Sequence, residues 1–133
     1  MTVSLKGLGA ITLFVEDLER SRSFYQDVFG LKVVHEDEDS AVFDFDNTLI
    51  NLLRISEARA LIEPAALAGR EAGSRYMLTI WVDDADATCA ALAARGVPLL
   101  NGPVDREWGV RTASFTDPAG NVWEIAQRLS GGD

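Results

Sequence analysis

Two stretches of this chain carry the same pattern. Leu8–Val15 alternates Ile11, Leu13 and Val15 on one face with Ala10, Thr12 and Phe14 on the other, as a strand does. Asp17 follows as a helix N-cap, and Glu19 lies in the first turn, where the helix dipole favours an acid. Leu18, Ser21, Phe24, Tyr25 and Val28 then keep helical spacing on one stripe until Gly30 stops the helix. The pattern returns in Tyr76–Val82, with Leu78, Ile80 and Val82 on one face and Met77, Thr79 and Trp81 on the other. Asp84 caps the next helix, Ala85, Thr88, Cys89 and Leu92 form its inner stripe, and Gly96 ends it. Asp17 and Asp84, Leu13 and Ile80, and Val15 and Val82 are each 67 positions apart.

Each helix is followed by segments of β character. After the first come 31–36, 41–45, with Ala41, Phe43 and Phe45 on one face, and 48–53. After the second come a short strand over 97–100, a loop over 101–109 carrying Trp108, and strands over 110–116 and 122–127. A repeated βαβββ unit is the simplest description: a first module over 1–54, a linker over 55–74 and a second module over 75–133. From 54 to 74, Ala, Glu, Arg and Gly dominate, with one or two short helical turns expected and Pro64 at a possible helix start. Glu36–Asp39 reads as a solvated acidic turn, and the tail Ser130–Asp133 as disordered. One module alone is too small to bury both faces of its sheet. The expected fold is therefore α+β, two modules joined into a curved mixed sheet with helices outside and a cleft inside.

Within the second module, Phe115-Thr-Asp-Pro-Ala-Gly-Asn-Val-Trp-Glu-Ile125 reads as strand, tight turn and strand. Pro118 presets one turn dihedral, and Gly120 or Asn121 takes positive φ. Glu124 is a mid-strand acid that needs a partner or water. This hairpin, set in a duplicated unit, resembles that of the vicinal oxygen chelate superfamily, which holds glyoxalase I, bleomycin-resistance proteins and extradiol dioxygenases. The resemblance covers nearly the whole chain and implies the two-module cup. It also implies a homodimer, commonly with modules exchanged between chains. Metal-dependent members carry ligands at positions matching Ala10, Asn51, Met77 and Glu124. Ala10 has no ligating side chain, Met77 is a soft thioether, Asn51 offers one neutral oxygen, and only Glu124 matches. No cofactor or metal is therefore expected at the family position.

Strand parity assigns Ile11, Leu13, Val15, Ile50, Leu52, Leu78, Ile80, Val82, Trp123 and Ile125 to the helix side. It leaves a mixed set for the cleft, including Thr12, Phe14, Asn51, Thr79, Trp81 and Glu124. An apolar surface with a few polar groups suits a small molecule. Trp81 and its repeat partner Phe14, with Trp108, are candidates for stacking a flat ligand. Trp81 also fits a core position, and Trp108 a cap over the sheet edge. Asp44 and Asp46, on the polar parity of the third strand, add acid near the cleft, which suits a cationic ligand. Arg111 is available to pair with one of these acids. His35, the only histidine, has a parity that does not settle its face; it fits pairing with Glu36 or Asp37, or ligand contact. Cys89 reads as packed.

The formal net charge of −9 argues against nucleic acid. No apolar run reaches the ~18 residues of a membrane span, no secretory signal is expected, and a single cysteine fits a reducing cytoplasm. The expected function is metal-independent binding of a planar or cationic drug or metabolite by Phe14, Thr12, Asn51, Thr79, Trp81, Trp108 and Glu124. The alternative is an enzyme (lyase, isomerase or dioxygenase) using Glu124 as general base or as ligand of a displaced metal.

Overall fold

A computed structural model of the chain describes residues 3–129; the tail expectation for Ser130–Asp133 lies outside them. The contacts divide into a unit ending at Ala68 and one beginning at Gly69. The first holds β1 (Ala10–Val15), α1 (Leu18–Asp27), β2 (Val33–Glu36), β3 (Ser40–Asp44), β4 (Leu49–Arg54) and a short helix α2 (Arg59–Ile62). The second holds β5 (Leu78–Trp81), α3 (Ala85–Ala94), β6 (Asn101–Arg106), β7 (Val110–Thr116) and β8 (Val122–Arg128). The ladders form two four-stranded mixed sheets of identical plan, β1-β4-β3-β2 and β5-β8-β7-β6. The outer pairs β1–β4 and β5–β8 are parallel and the rest antiparallel. This is the α+β plan expected from the repeat.

In each unit one helix covers one sheet face. The Asp17 carboxylate accepts from the Arg20 N–H at 3.1 Å, and the Asp84 carboxylate from the Ala87 N–H at 3.0 Å. These caps satisfy amides that no helical carbonyl reaches. Leu18, Ser21 and Tyr25 of α1 are buried with Leu13, Val15, Phe43, Ile50 and Leu52. Tyr25 and Phe43 lie with ring centroids 5.5 Å apart. Ala85, Cys89 and Leu92 of α3 are buried with Ala113, Phe115, Trp123 and Ile125. Burial pushes the Cys89 thiol up, and the Asp86 charge adds to it, which keeps the sulfur a packed group rather than a nucleophile.

Several boundaries differ from the sequence reading. Residues 97–100 form no strand, and β6 occupies Asn101–Arg106, where a loop is expected. Gly102-Pro103 reads as a breaker, yet β6 is the sheet edge, where proline forfeits no ladder bond. A Cβ on Gly102 would sit 2.4 Å from the Thr112 carbonyl oxygen, so only glycine lets β6 approach β7 there. β5 begins at Leu78 and ends at Trp81, leaving Met77 and Val82 outside it. α2 ends before Pro64 instead of starting at it, in keeping with proline's bias against helix in the preceding residue. The acidic turn is exposed at Glu36, Asp37 and Glu38, as expected, and two of its acids also form ion pairs: Glu36 with Arg22 at 2.9 Å and Asp39 with Arg54 at 3.4 Å. The Asp39 N–H and the Ser40 hydroxyl hold the exposed Asp37 carboxyl below its usual range. Among the described residues no helix is long and apolar enough to cross a membrane.

Candidate functional site

The turn of the closing hairpin is built on Asp117, which is 3% exposed. Its Oδ1 accepts from the Ala119 and Asn121 N–H groups at 3.1 and 2.9 Å, and its Oδ2 from the Asn121 side chain at 3.0 Å. Gly120 takes the positive φ, at 92°. The Asn121 side-chain oxygen accepts from the Tyr76 hydroxyl, and the Pro118 carbonyl from Arg70. The motif thus fixes where β8 starts and which way Glu124 points.

In the second unit, Thr79 pairs with Glu124, and Glu124 with Ser114, so the three share the sheet face away from α3. The Thr79 hydroxyl donates to Glu124 Oε1 at 2.9 Å. Trp81, two residues along β5 from Thr79 and opposite Ala126, stands on the same face, 55% exposed. Sequence reasoning missed its partner: the Arg128 guanidinium lies over the Trp81 ring, 4.0 Å from its centroid. Arg128 shares parity with Val122 and Glu124, but the sequence reading ends the strand at Gln127, one residue short of β8. The position over the ring reserved for a cationic ligand therefore holds a cation of the chain itself. Trp108 lies in the turn between β6 and β7, 69% exposed. Trp123 is core.

The first unit has a corresponding row on the face away from α1. His35 pairs with Val42, Val42 with Asn51, and Asn51 with Thr12. A register shift between Val33 and His35 sends Val33 to the Phe43 side and His35 to the Asn51 side, which parity alone does not show. The His35 side chain is exposed and forms no hydrogen bond or ion pair at contact distance among the described residues, but its charge helps lower the Asp37 carboxyl. The Asn51 amide donates to Thr12 Oγ1 at 3.4 Å, while Asn51 Oδ1 is buried without a partner among the described residues. Phe14 is half-buried on this face, opposite Leu53. Of the two acids expected nearby, Asp44 ends β3 and its side chain accepts from the Asp46 N–H at 2.7 Å. Asp46 is not on the strand but in the turn, at φ 77°. Arg111 pairs with neither of them nor with Glu124: it grips Asp105 at 2.6 Å and Asp86 at 3.1 Å on the α3 side. That contact holds the Asp105 carboxyl below its usual range.

The donors at the metal positions suggested by the resemblance can be taken unit by unit. In the first, Ala10 faces Leu49 and Asn51 faces Thr12, and neither is anionic. In the second, Met77 precedes β5, 47% exposed, and Glu124 is the one carboxylate. No three His, Cys, Asp or Glu side chains gather anywhere among the described residues. A catalytic zinc asks for about three protein ligands, and this donor set does not fit one.

Comparison with known proteins agrees with the plan of the two sheets. Residues 7–125 match the sequence profile of the Glyoxalase/Bleomycin resistance protein/Dioxygenase superfamily. The chain is 37% identical over 124 residues to the uncharacterized protein YraH of Bacillus subtilis, covering 90% of this chain and 96% of that one. A glyoxalase/bleomycin resistance protein/dioxygenase from Nocardioides superposes with a TM-score of 0.86 at 27% identity, over 99% of this chain and 89% of that one. TnmS3, an antibiotic binding protein from Streptomyces, does so with a TM-score of 0.71 at 26% identity, over 96% and 99%. The chain belongs to the Glyoxalase/Bleomycin resistance protein/Dioxygenase superfamily.

Proposed function

We propose that this protein is a metal-independent small-molecule binding protein that sequesters a planar drug or metabolite. The observation that carries the reading is the exposed Trp81 ring on the same sheet face as a carboxylate oriented by Thr79. An aromatic ring offers stacking worth about 0.5–1.5 kcal/mol beyond area burial, and an oriented carboxylate selects a hydrogen-bond donor on the ligand. The poor donor set for a metal supports binding over metal chemistry. So does the likeness to an antibiotic binding protein. Thr12, Asn51 and Phe14 give the first unit a polar and apolar face of the same kind. We read the protein as cytoplasmic, since its lone Cys89 is buried and free, and as a homodimer, which light scattering checks.

Calorimetric titration with a broad panel of planar compounds, bleomycin among them, tests the reading. Binding is expected for part of the panel, with Trp81→Ala weakening it about tenfold, or ~1.4 kcal/mol. Absence of heat across the whole panel would overturn it. A second reading, an enzyme with Glu124 as general base, draws on the Thr79 hydrogen bond, which aims the carboxylate. It calls for turnover that disappears in Glu124→Gln while ligand affinity stays.

A further inference from the structure

The Trp81 face carries more positive charge than an acidic chain leads one to expect. Arg22, Arg54 and Arg111 each pair with a carboxylate. Arg128 and Arg106 do not, among the described residues. Arg128 spends its guanidinium on the Trp81 ring. Arg106 gives Nε to the Thr112 hydroxyl at 3.1 Å and one terminal nitrogen to Asn101 at 3.3 Å. The two arginines flank Val110 in one row of the ladder, Arg106–Val110–Arg128, and so stand on one face. Both turn toward the next row, where Trp81 and Thr112 border Ala126. Ala126, Thr112 and Val110 are 2%, 1% and 9% exposed, so larger side chains close over this row and the two arginines stand at its surface. Glu124 is four residues back along β8 from Arg128, roughly 13 Å at ~3.3 Å per residue, and its Oε1 is engaged by Thr79. It does not neutralise this end of the face.

We propose that the ligand of this face is a flat aromatic anion, bearing a carboxylate or phosphate; the proposal rests on the small-molecule reading above. Its ring lies against the Arg128–Trp81 pair, and its anionic group meets the unspent N–H groups of Arg128 and Arg106 at the surface of the sheet. Guanidinium presents parallel donors that match a carboxylate or phosphate in a way a point cation does not. An arginine already held over a ring also gives up less side-chain freedom when it binds. A cationic ligand would meet Arg128 first and be repelled. The charge preference is thus the reverse of the one the net charge of −9 suggests.

Calorimetry with four compounds sharing one ring system decides the matter: 2-naphthoate, 2-naphthyl phosphate, 2-naphthamide and 2-naphthylmethylammonium. The two anions are expected to bind at least about tenfold more tightly than the amide, and the ammonium no better than the amide. Arg128→Gln and Arg106→Gln should each bring naphthoate toward the amide's affinity, while Arg128→Lys, keeping charge but losing the flat fork, falls between. Equal affinity across the series, or tightest binding of the ammonium, would overturn the charge preference and leave a small-molecule binding protein standing. No binding of any of the four, with other planar compounds bound, would overturn the ligand class alone. No binding of either set would remove both readings.

Discussion

Corresponding rows of the two sheets run His35, Val42, Asn51, Thr12 in the first unit and Asn101, Ser114, Glu124, Thr79 in the second. The strand order and the pairing of this row are the same, and threonine stands at the same place in both. The chemistry is not. In the second unit a carboxylate accepts a 2.9 Å hydrogen bond; in the first an amide makes a marginal 3.4 Å contact and buries an unmet oxygen. On the helix sides, by contrast, Leu13, Ile50 and Leu52 in one unit and Trp123, Ile125 and Phe115 in the other are all apolar and buried. Packing against a helix admits few side chains, whereas the other face leaves room for binding chemistry to diverge.

The largest difference we expect is between the two matching turns. Asp117 is buried and accepts from two backbone amides and the Asn121 side chain. Asp44, before the β3–β4 turn, is exposed and accepts from one amide. Hydrogen bonds to a charged group contribute about 1.5–3 kcal/mol when the donors they leave behind are buried. Asp117→Ala should therefore cost about 2–3 kcal/mol and Asp44→Ala about 0.5 kcal/mol or less, read as urea midpoints. Equal costs would mean that the closing motif is no more than an ordinary turn.

What the sequence discloses and what it hides follows the same division. Asp17, Asp84 and the apolar parities are legible because capping and core burial act within a few residues, and β7 falls where expected, at Val110–Thr116. The face of His35 is hidden, because one register shift in β2 moves it across the sheet. β6 is hidden because the close approach that demands Gly102 involves β7, ten residues on. That Thr79, Trp81 and Glu124 share one face is legible from parity. Arg128 over Trp81 is not, since a contact between neighbouring strands has no local signature.

The threonine pair sharpens the comparison at intermediate size. Thr79→Val removes a donor, itself exposed, to a half-buried carboxylate and should cost about 0.5–1 kcal/mol; Thr12→Val, with a contact at the distance limit, less than about 0.5 kcal/mol. Asn51→Leu should be neutral or stabilising in the same urea measurements, because it removes a buried oxygen with nothing to accept. A loss above about 1 kcal/mol in Asn51→Leu would show that this oxygen has a partner in solution and that the two rows are closer in character than their contacts suggest.

The smallest effect concerns Tyr76, whose counterpart 67 positions earlier is Gly9. The first unit ties its matching hairpin by the Thr48 hydroxyl donating to the Leu8 carbonyl at 3.3 Å, a contact that does not titrate. The second uses the Tyr76 hydroxyl on Asn121. Burial raises the Tyr76 phenol above its usual value, and the nearby Asp117 charge raises it further. The folded chain therefore holds this proton after the unfolded chain has released it. The stability it lends is fully present below the unfolded value of about 10, and it is lost as pH rises through the higher folded value. Tyr76→Phe should cost about 0.5 kcal/mol at pH 8, the low end for a hydrogen bond at a half-exposed site. It should also make the decline in urea midpoint between pH 9.5 and 11 shallower than in the parent chain. Parallel declines in the two proteins would place the alkaline sensitivity elsewhere and leave the two hairpin ties equivalent in kind.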